Sequence, residues 1–327
     1  MVPTIFNAVK RVLVGRPFRN DSLAHTLLPK RIALPVFASD ALSSVAYAPD
    51  EILLTLALAG VSAVAFSPWV GLAVMVVLLT VVASYRQNVH AYPSGGGDYE
   101  IANENLGKYA GLTVASALLV DYVLTVAVSM SSAATYLTTA VPALHGQQAG
   151  IAAIGVIVLA LVNLRGVKEA GSVFAVPTYI FMASILGMTA VGVFQAVTGQ
   201  LGEAPSAAFT IVPAEGFDEG LVGLAGAFLL LRAFSSGAAA LTGIEAISNG
   251  VPNFKKPKSK NAATTLLMLG VIAASMLAGI IYLANATKVH IVLDPATEFL
   301  LNGQPLPEGY ILSPAISQIA QTIFGGG

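Results

Sequence analysis

Seven long apolar runs constrain this chain more than any other feature: Ile32 to Ala59, Trp69 to Tyr85, Ala110 to Ala140, Ala149 to Leu164, Phe174 to Val197, Leu221 to Ser248 and Ala262 to Ala286, with an eighth starting near Ile311. About 20 apolar residues cross the hydrocarbon layer of a bilayer as a helix. Inside that layer every backbone N–H and C=O must be bonded within the protein, so runs of this kind predict α-helices. The composition agrees, with 56% hydrophobic and 10% charged residues and a mean hydropathy of +0.78. Soluble domains carry roughly a quarter charged residues. A soluble globular domain is therefore excluded, and the chain reads as an all-α integral membrane protein whose partner along most of its length is the lipid bilayer.

The net charge of −1 and the lack of a long basic block exclude nucleic acid as a partner. With no cysteine, thiol catalysis, disulfides and Cys-based metal sites are excluded. The four histidines fall near or beyond the ends of different runs, so no Ser/His/Asp triad assembles. The sequence predicts no enzyme and no cofactor. The sixteen Lys and Arg sort to one side: six in residues 1–31, two between the second and third runs, two between the fourth and fifth, and four between the sixth and seventh, fourteen in all. The positive-inside rule then predicts a cytoplasmic N-terminus. Within residues 1–31, Ile5 to Val14 is amphipathic with Lys10 and Arg11 on one side, which reads either as a helix lying on a membrane surface or as a disordered basic tail. The opposite connections are acidic, with Glu203, Glu215, Asp218, Glu219, Asp294, Glu298 and Glu308, and either gather cations or are simply solvated.

Two runs are interrupted by small polar residues, the first at Ser39 to Ser44 and the sixth from Ser235 to Glu245. Discontinuous helices at matching places in two halves point to an inverted-repeat transporter, because unwound backbone at membrane depth survives only beside a cavity. On this reading residues 32–198 form a first five-helix repeat and residues 221–327 a partial second one, incomplete at the C-terminus. The Tyr92 to Tyr99 segment, with three consecutive glycines, lacks the Lys-Ser/Thr ending of a phosphate loop and reads as a bent, close-packed connection.

Asp40, Asp121 and Glu245 lie deep within runs. A charge at mid-bilayer costs about 2.5–3.5 kcal/mol on insertion scales, so three carboxylates there need a wet cavity, a partner or a function. Asp121, Thr125 and Ser129 recur at i, i+4 and i+8, which lines one carboxylate and two hydroxyls along one helix face. Asp40 is followed by Ser43, Ser44 and Tyr47, where a broken helix would also free backbone carbonyls, and Thr242 precedes Glu245 by three. All these ligands are hard oxygens, which suits an alkali cation rather than zinc or copper. The competing reading is structural: a span hydroxyl often bonds only the carbonyl four residues back, and a deep carboxylate can pair with Arg232, the one basic residue inside a run, which otherwise serves a gate.

Ser39 to Tyr47, Tyr92 to Gly97, Glu104 to Gly107, Leu119 to Ser129, Asn163 to Gly166, Ala233 to Gly237 and Ala240 to Asn249 together resemble the KUP family of potassium importers, within the amino acid-polyamine-organocation superfamily. The resemblance implies a LeuT-type fold and proton-coupled potassium uptake across a bacterial plasma membrane. It implies potassium ligation by Asp40, Tyr47, Asp121, Thr125, Ser129, Thr242 and Glu245. The residues themselves add Ser43 and Ser44 as candidate secondary ligands, and in a proton symporter at least one of Asp40, Asp121 and Glu245 changes protonation during the cycle. It also implies that full-length relatives are homodimers controlled by cyclic di-AMP through a cytoplasmic C-terminal domain, to which nothing in residues 1–327 corresponds. The alternatives are an amino acid or polyamine permease of the same superfamily, whose substrate amine the carboxylates would hold, and a non-transporting fragment of such a protein.

Overall fold

The computed structural model describes residues 27–164 and 167–325. The surface helix expected over Ile5 to Val14, and Arg165 and Gly166 of the Asn163 to Gly166 motif, lie outside the described residues. The helices are α1 (Lys30–Ala57), α2 (Ser67–Ala91), α3 (Gly97–Leu106), α4 (Lys108–Ala140), α5 (Gln148–Asn163), α6 (Val167–Val197), α7 (Gly223–Gly237), α8 (Glu245–Asn249), α9 (Lys258–Ala286) and α10 (Ala315–Phe324), with shorter helical turns between them. Among the described residues six spans are long and apolar enough to cross a membrane: Lys30–Ala57, Val61–Ala91, Lys108–Ala140, Ala175–Val197, Gly223–Asn249 and Lys258–Ala286. They match six of the seven apolar runs. The remaining run forms α5, which has 16 residues and is about 24 Å long at 1.5 Å per residue, short of the roughly 30 Å hydrocarbon layer.

The expected break in the first span is absent. α1 is one continuous helix through Ser39 to Ser44. No Gly or Pro lies between Val36 and Ala48, and alanines, the best helix formers, occupy four of those positions. Small polar side chains interrupt the hydropathy there without interrupting the backbone, so the carbonyls along Ser39 to Ser44 serve helix hydrogen bonds. The two prolines of α1 do remove donors, from the carbonyls of Arg31 and Val45 four residues back. The Tyr179 hydroxyl replaces one of them, donating to the Arg31 carbonyl at 2.7 Å.

The break in the sixth span is present. α7 ends at Gly237, a 3₁₀ turn covers Ala238–Leu241, Thr242 is extended, and Gly243 takes φ +82° before α8 begins at Glu245. A residue with a Cβ is strained at that φ, which is why a glycine stands where the span turns.

The described chain divides into two compact units. One comprises residues up to Asp40, Val82–Phe181 and Gly243–Leu269. Here Leu28 pairs with the segment before α9, its N–H donating to the Asn253 carbonyl at 2.8 Å and its carbonyl accepting from Lys255 N–H at 3.1 Å. Phe254, fully buried, stacks on Phe37 with ring centroids 5.5 Å apart. The three consecutive glycines form the bent connection the sequence predicts, with φ of +84°, +91° and +48° at Gly95, Gly96 and Gly97.

The other unit comprises Ala41–Val81, Met182–Thr242 and Gly270–Gly327. Its interior is aliphatic, with Leu42, Ile52, Leu56, Val74, Leu78, Leu277 and Leu283 all buried. Two connections that read as acidic loops are built instead into a small antiparallel sheet of order β1 (Thr210–Ile211), β2 (Phe299–Leu301), β3 (Gln304–Pro305). Three of their acids have structural duties: Glu203 pairs with Lys288, Asp294 accepts from Ala296 N–H at 3.1 Å, and Glu298 accepts from Leu293 N–H at 3.1 Å. A buried polar cluster joins Ser206, His290 and Gln318: the His290 N–H donates to Ser206 Oγ at 2.8 Å, and Ser206 Oγ donates to Gln318 Oε1.

His290 Nδ1 lies 2.8 Å from the Phe209 carbonyl, an acceptor, so Nδ1 carries the proton. Burial lowers the His290 pKa below its ordinary 6.5, and Lys288 pushes the same way. The unfolded chain therefore binds this proton more readily, so the stabilisation is present above about pH 6.5 and is lost as pH falls through the ordinary histidine range. The unfolding midpoint is expected to drop between about pH 7.5 and 5.5 by more in the wild type than in His290→Gln. Equal drops would remove His290 from the titration.

Candidate cation site

The nominated residues divide between the two units, and the chain passes from one unit to the other at Asp40–Ala41 and at Thr242–Gly243, within the two stretches singled out in the sequence. Asp40, Asp121, Thr125, Ser129 and Glu245 belong to the first unit. On α4 the less exposed positions include Gly111, Leu118, Asp121, Thr125, Ser129 and Tyr136, at spacings of three, four and seven, while most of the positions between them are exposed. The oxygen ladder thus occupies the helix face turned to the protein. Thr125 and Glu245 are both 7% exposed. Ser129 Oγ and Glu245 Oε1 are buried with no hydrogen-bond partner among the described residues. Asp40 and Asp121 lie within electrostatic range of Glu245 and of each other, and Asp98 is within range of Glu245.

Unpartnered buried oxygens are costly, because their solvation is lost and nothing replaces it. A bound cation would supply the missing partner. Among the described residues no three His, Asp or Glu side chains converge closely enough to hold a metal ion by themselves. Any cation held here draws on hydroxyl and carbonyl oxygens as well as carboxylates, which fits a weakly hydrated monovalent ion better than a divalent one.

Ser43, Ser44, Tyr47, Thr242 and Arg232 belong to the second unit. Thr242 Oγ1 donates to the Ala239 carbonyl at 2.9 Å, so it accepts from Ser44 Oγ, 2.8 Å away. A hydroxyl has one proton. Ser44 therefore accepts from Tyr47 Oη at 2.9 Å, and the bonds run Tyr47 to Ser44 to Thr242 to the Ala239 carbonyl. This one-way chain leaves both lone pairs of Tyr47 Oη for a cation, and ties α1 to the turn at the break of the sixth span. Arg232 is exposed on α7 and forms no ion pair among the described residues.

Sequence reasoning missed four residues that hold the first unit's site in place. Tyr85 Oη donates to Asp98 Oδ2 at 2.6 Å, linking α2 to the first turn of α3. Asn249, at the end of α8, donates to Tyr122 Oη on α4 at 2.9 Å. A Cβ on Gly97 would overlap Asn249 Oδ1. The residue after Asp121 and the residue four after Glu245 are thus bonded to each other, fixing the short helix that carries Glu245 against the helix that carries Asp121. The available signal was the run of glycines, which marks a close backbone approach.

A family profile described as amino acid permease matches residues 36–299. The chain is 43% identical over 280 residues to the potassium transporter KimA of Bacillus subtilis, covering 86% of this chain and 45% of KimA. It is 27% identical over 124 residues to the low-affinity putrescine importer PlaP of Escherichia coli, covering 37% of this chain and 27% of PlaP. The chain spans less than half the length of either relative. A match over most of the chain, with membrane-spanning helices and a broken sixth span at the expected place, has one consequence: the chain belongs to the amino acid permease family.

Proposed function

We propose that the chain carries the ion-binding part of a secondary active potassium importer of the bacterial plasma membrane, driven by proton symport, with the N-terminus cytoplasmic. The observation that carries this reading is the first unit's set of oxygens: Glu245 Oε1 and Ser129 Oγ, buried without partners among the described residues, with Asp40, Asp121 and Thr125. The similarity to KimA supports potassium as the ion. In the second unit Tyr47, Ser44 and Thr242 offer hydroxyl oxygens of their own, Ser43 stands one residue from Ser44, and the Val45 carbonyl is deprived of its usual donor by Pro49. Carboxylates at this depth are tolerated when a cation or a proton neutralises them, so exchange of one for the other couples the two gradients. Asp40, Asp121 and Glu245 are the candidates for that exchange. Homodimerisation and control by cyclic di-AMP, which the resemblance implies for full-length relatives, are part of the same proposal.

The second reading, an amine permease, is favoured by the match to PlaP, a putrescine importer. The same carboxylates would then hold an ammonium group. Thermal unfolding of the purified chain separates the two, since a ligand that binds only the folded state raises its stability. Potassium and rubidium are expected to raise the unfolding midpoint and putrescine is not; stabilisation by putrescine alone would reverse the assignment.

Tyr47→Phe removes the first donor of the hydroxyl chain and a ligand oxygen together. A typical net hydrogen bond is worth about 0.5–1.5 kcal/mol, so the half-saturating potassium concentration is expected to rise roughly two- to tenfold. An unchanged value in the same thermal titration would make Tyr47 a packing residue.

A further inference from the structure

Basic residues on separate loops give a membrane protein only a diffuse attraction to anionic lipid, falling off within about a Debye length. Two basic segments of this chain are not separate. The backbone pairing of Leu28 with Asn253 and Lys255 sets the start of α1, with Lys30 and Arg31, beside the segment entering α9, with Lys255, Lys256, Lys258 and Lys260. All of these residues lie in one compact unit. The pairing is anchored by Phe254, fully buried and stacked on Phe37 of α1. Five of the six cations are exposed; Lys258 is partly buried and spends one donor on the Pro252 carbonyl at 2.6 Å. None of the six forms an ion pair among the described residues. Both segments open helices that cross the membrane, so the cluster lies at the depth of lipid headgroups.

We propose that Lys30, Arg31, Lys255, Lys256, Lys258 and Lys260 form a binding site for the phosphate of an anionic phospholipid headgroup. Six cations with no ion pair among the described residues, gathered at the starts of two spans by the pairing of Leu28, match a phosphate at that depth, and the acyl chains would run past the exposed Leu267 and Met268 of α9. The site does not depend on which substrate the protein carries.

The test is native mass spectrometry of the full chain released from neutral detergent, titrated with phosphatidylglycerol or phosphatidylcholine. Phosphatidylglycerol is expected to be retained in preference to phosphatidylcholine. Each removed cation is expected to weaken its binding about fivefold, so Lys255→Ala with Lys256→Ala together weaken it about 25-fold. Rising salt is expected to lower the affinity of the wild type more than that of the double variant. Lys260→Ala and Lys30→Ala, each expected to cost about fivefold, serve if the double variant does not fold. Equal retention of the two lipids, or unchanged phosphatidylglycerol affinity in folded variants, would overturn the proposal. Displacement of phosphatidylglycerol by inorganic phosphate at equal concentration would also overturn it, by making the cluster a site for a soluble anion.

Discussion

Asp121→Asn is expected to abolish potassium-dependent stabilisation of the protein and rubidium uptake into cells that lack their own potassium importers, while membrane insertion is unchanged. The substitution keeps the size of the side chain and one of its oxygens and removes the charge. Two unit charges about 4 Å apart interact by about 4 kcal/mol at an effective dielectric of 20, and part of that is offset by the desolvation of both groups. Even half of it corresponds to roughly a thirtyfold loss of affinity, and the full value to roughly a thousandfold. Insertion is spared because an amide is easier to place in the bilayer than a carboxylate. Asp121 sits on the protein-facing side of α4, in line with Thr125 and Ser129 and within range of Asp40 and Glu245, so its charge bears on every oxygen of the first unit's set. Stabilisation and uptake at wild-type levels would take Asp121 out of the ion path. The amount of protein in the membrane fraction distinguishes a dead site from a chain that fails to insert.

What the sequence made legible follows from what a bilayer forbids. Spans are readable because apolar runs of that length have few alternatives, and the deep carboxylates are readable because the cost of placing them demands a reason. The break at Thr242–Gly243 is readable because Gly243 supplies a φ that other residues avoid. The break expected at Ser39 to Ser44 rested on polarity alone, and polarity does not unwind a helix. The hydroxyls there bond other side chains, as Ser44 does to Tyr47 and Thr242, and leave the backbone ladder intact. Long-range pairs were not legible. Asn249 and Tyr122 are 127 positions apart, and neither has a local pattern that names the other. The sheet eluded the sequence for the same reason: its strands hold two or three residues, too few for any alternation to show, and Thr210 finds its partner at Leu300. The acidic connections looked like solvated loops because a carboxylate that caps a turn or pairs with Lys288 has the same composition as one that does nothing.

Gly95→Val is expected to destabilise the protein strongly although Gly95 lies outside the ion site. Gly95 has φ +84°, where a β-branched residue is strained by about 1–2 kcal/mol. A Cβ there would also lie 2.7 Å from Pro252 Cδ and 2.8 Å from the Asn249 carbonyl oxygen. Neither neighbour yields easily, since one belongs to a proline ring and the other to the backbone. Overpacking of this kind costs about 1–3 kcal/mol, for about 2–5 kcal/mol in total. Gly146 provides the control: its φ is +81°, yet a Cβ would meet no heavy atom within 4 Å. Gly146→Val therefore carries the strain alone, about 1–2 kcal/mol. Thermal unfolding in detergent is expected to place Gly95→Val well below Gly146→Val, with Gly95→Ala between them. If the two valine variants unfold together, the contact with Pro252 and Asn249 is not what requires a glycine. The damage is expected to reach the site as well. Asn249 ends the five-residue helix that begins at Glu245 and holds it to α4 through Tyr122, so pushing Asn249 away shifts Glu245 against Asp121. In whatever fraction of Gly95→Val remains folded, potassium is expected to stabilise less than it does in Gly146→Val.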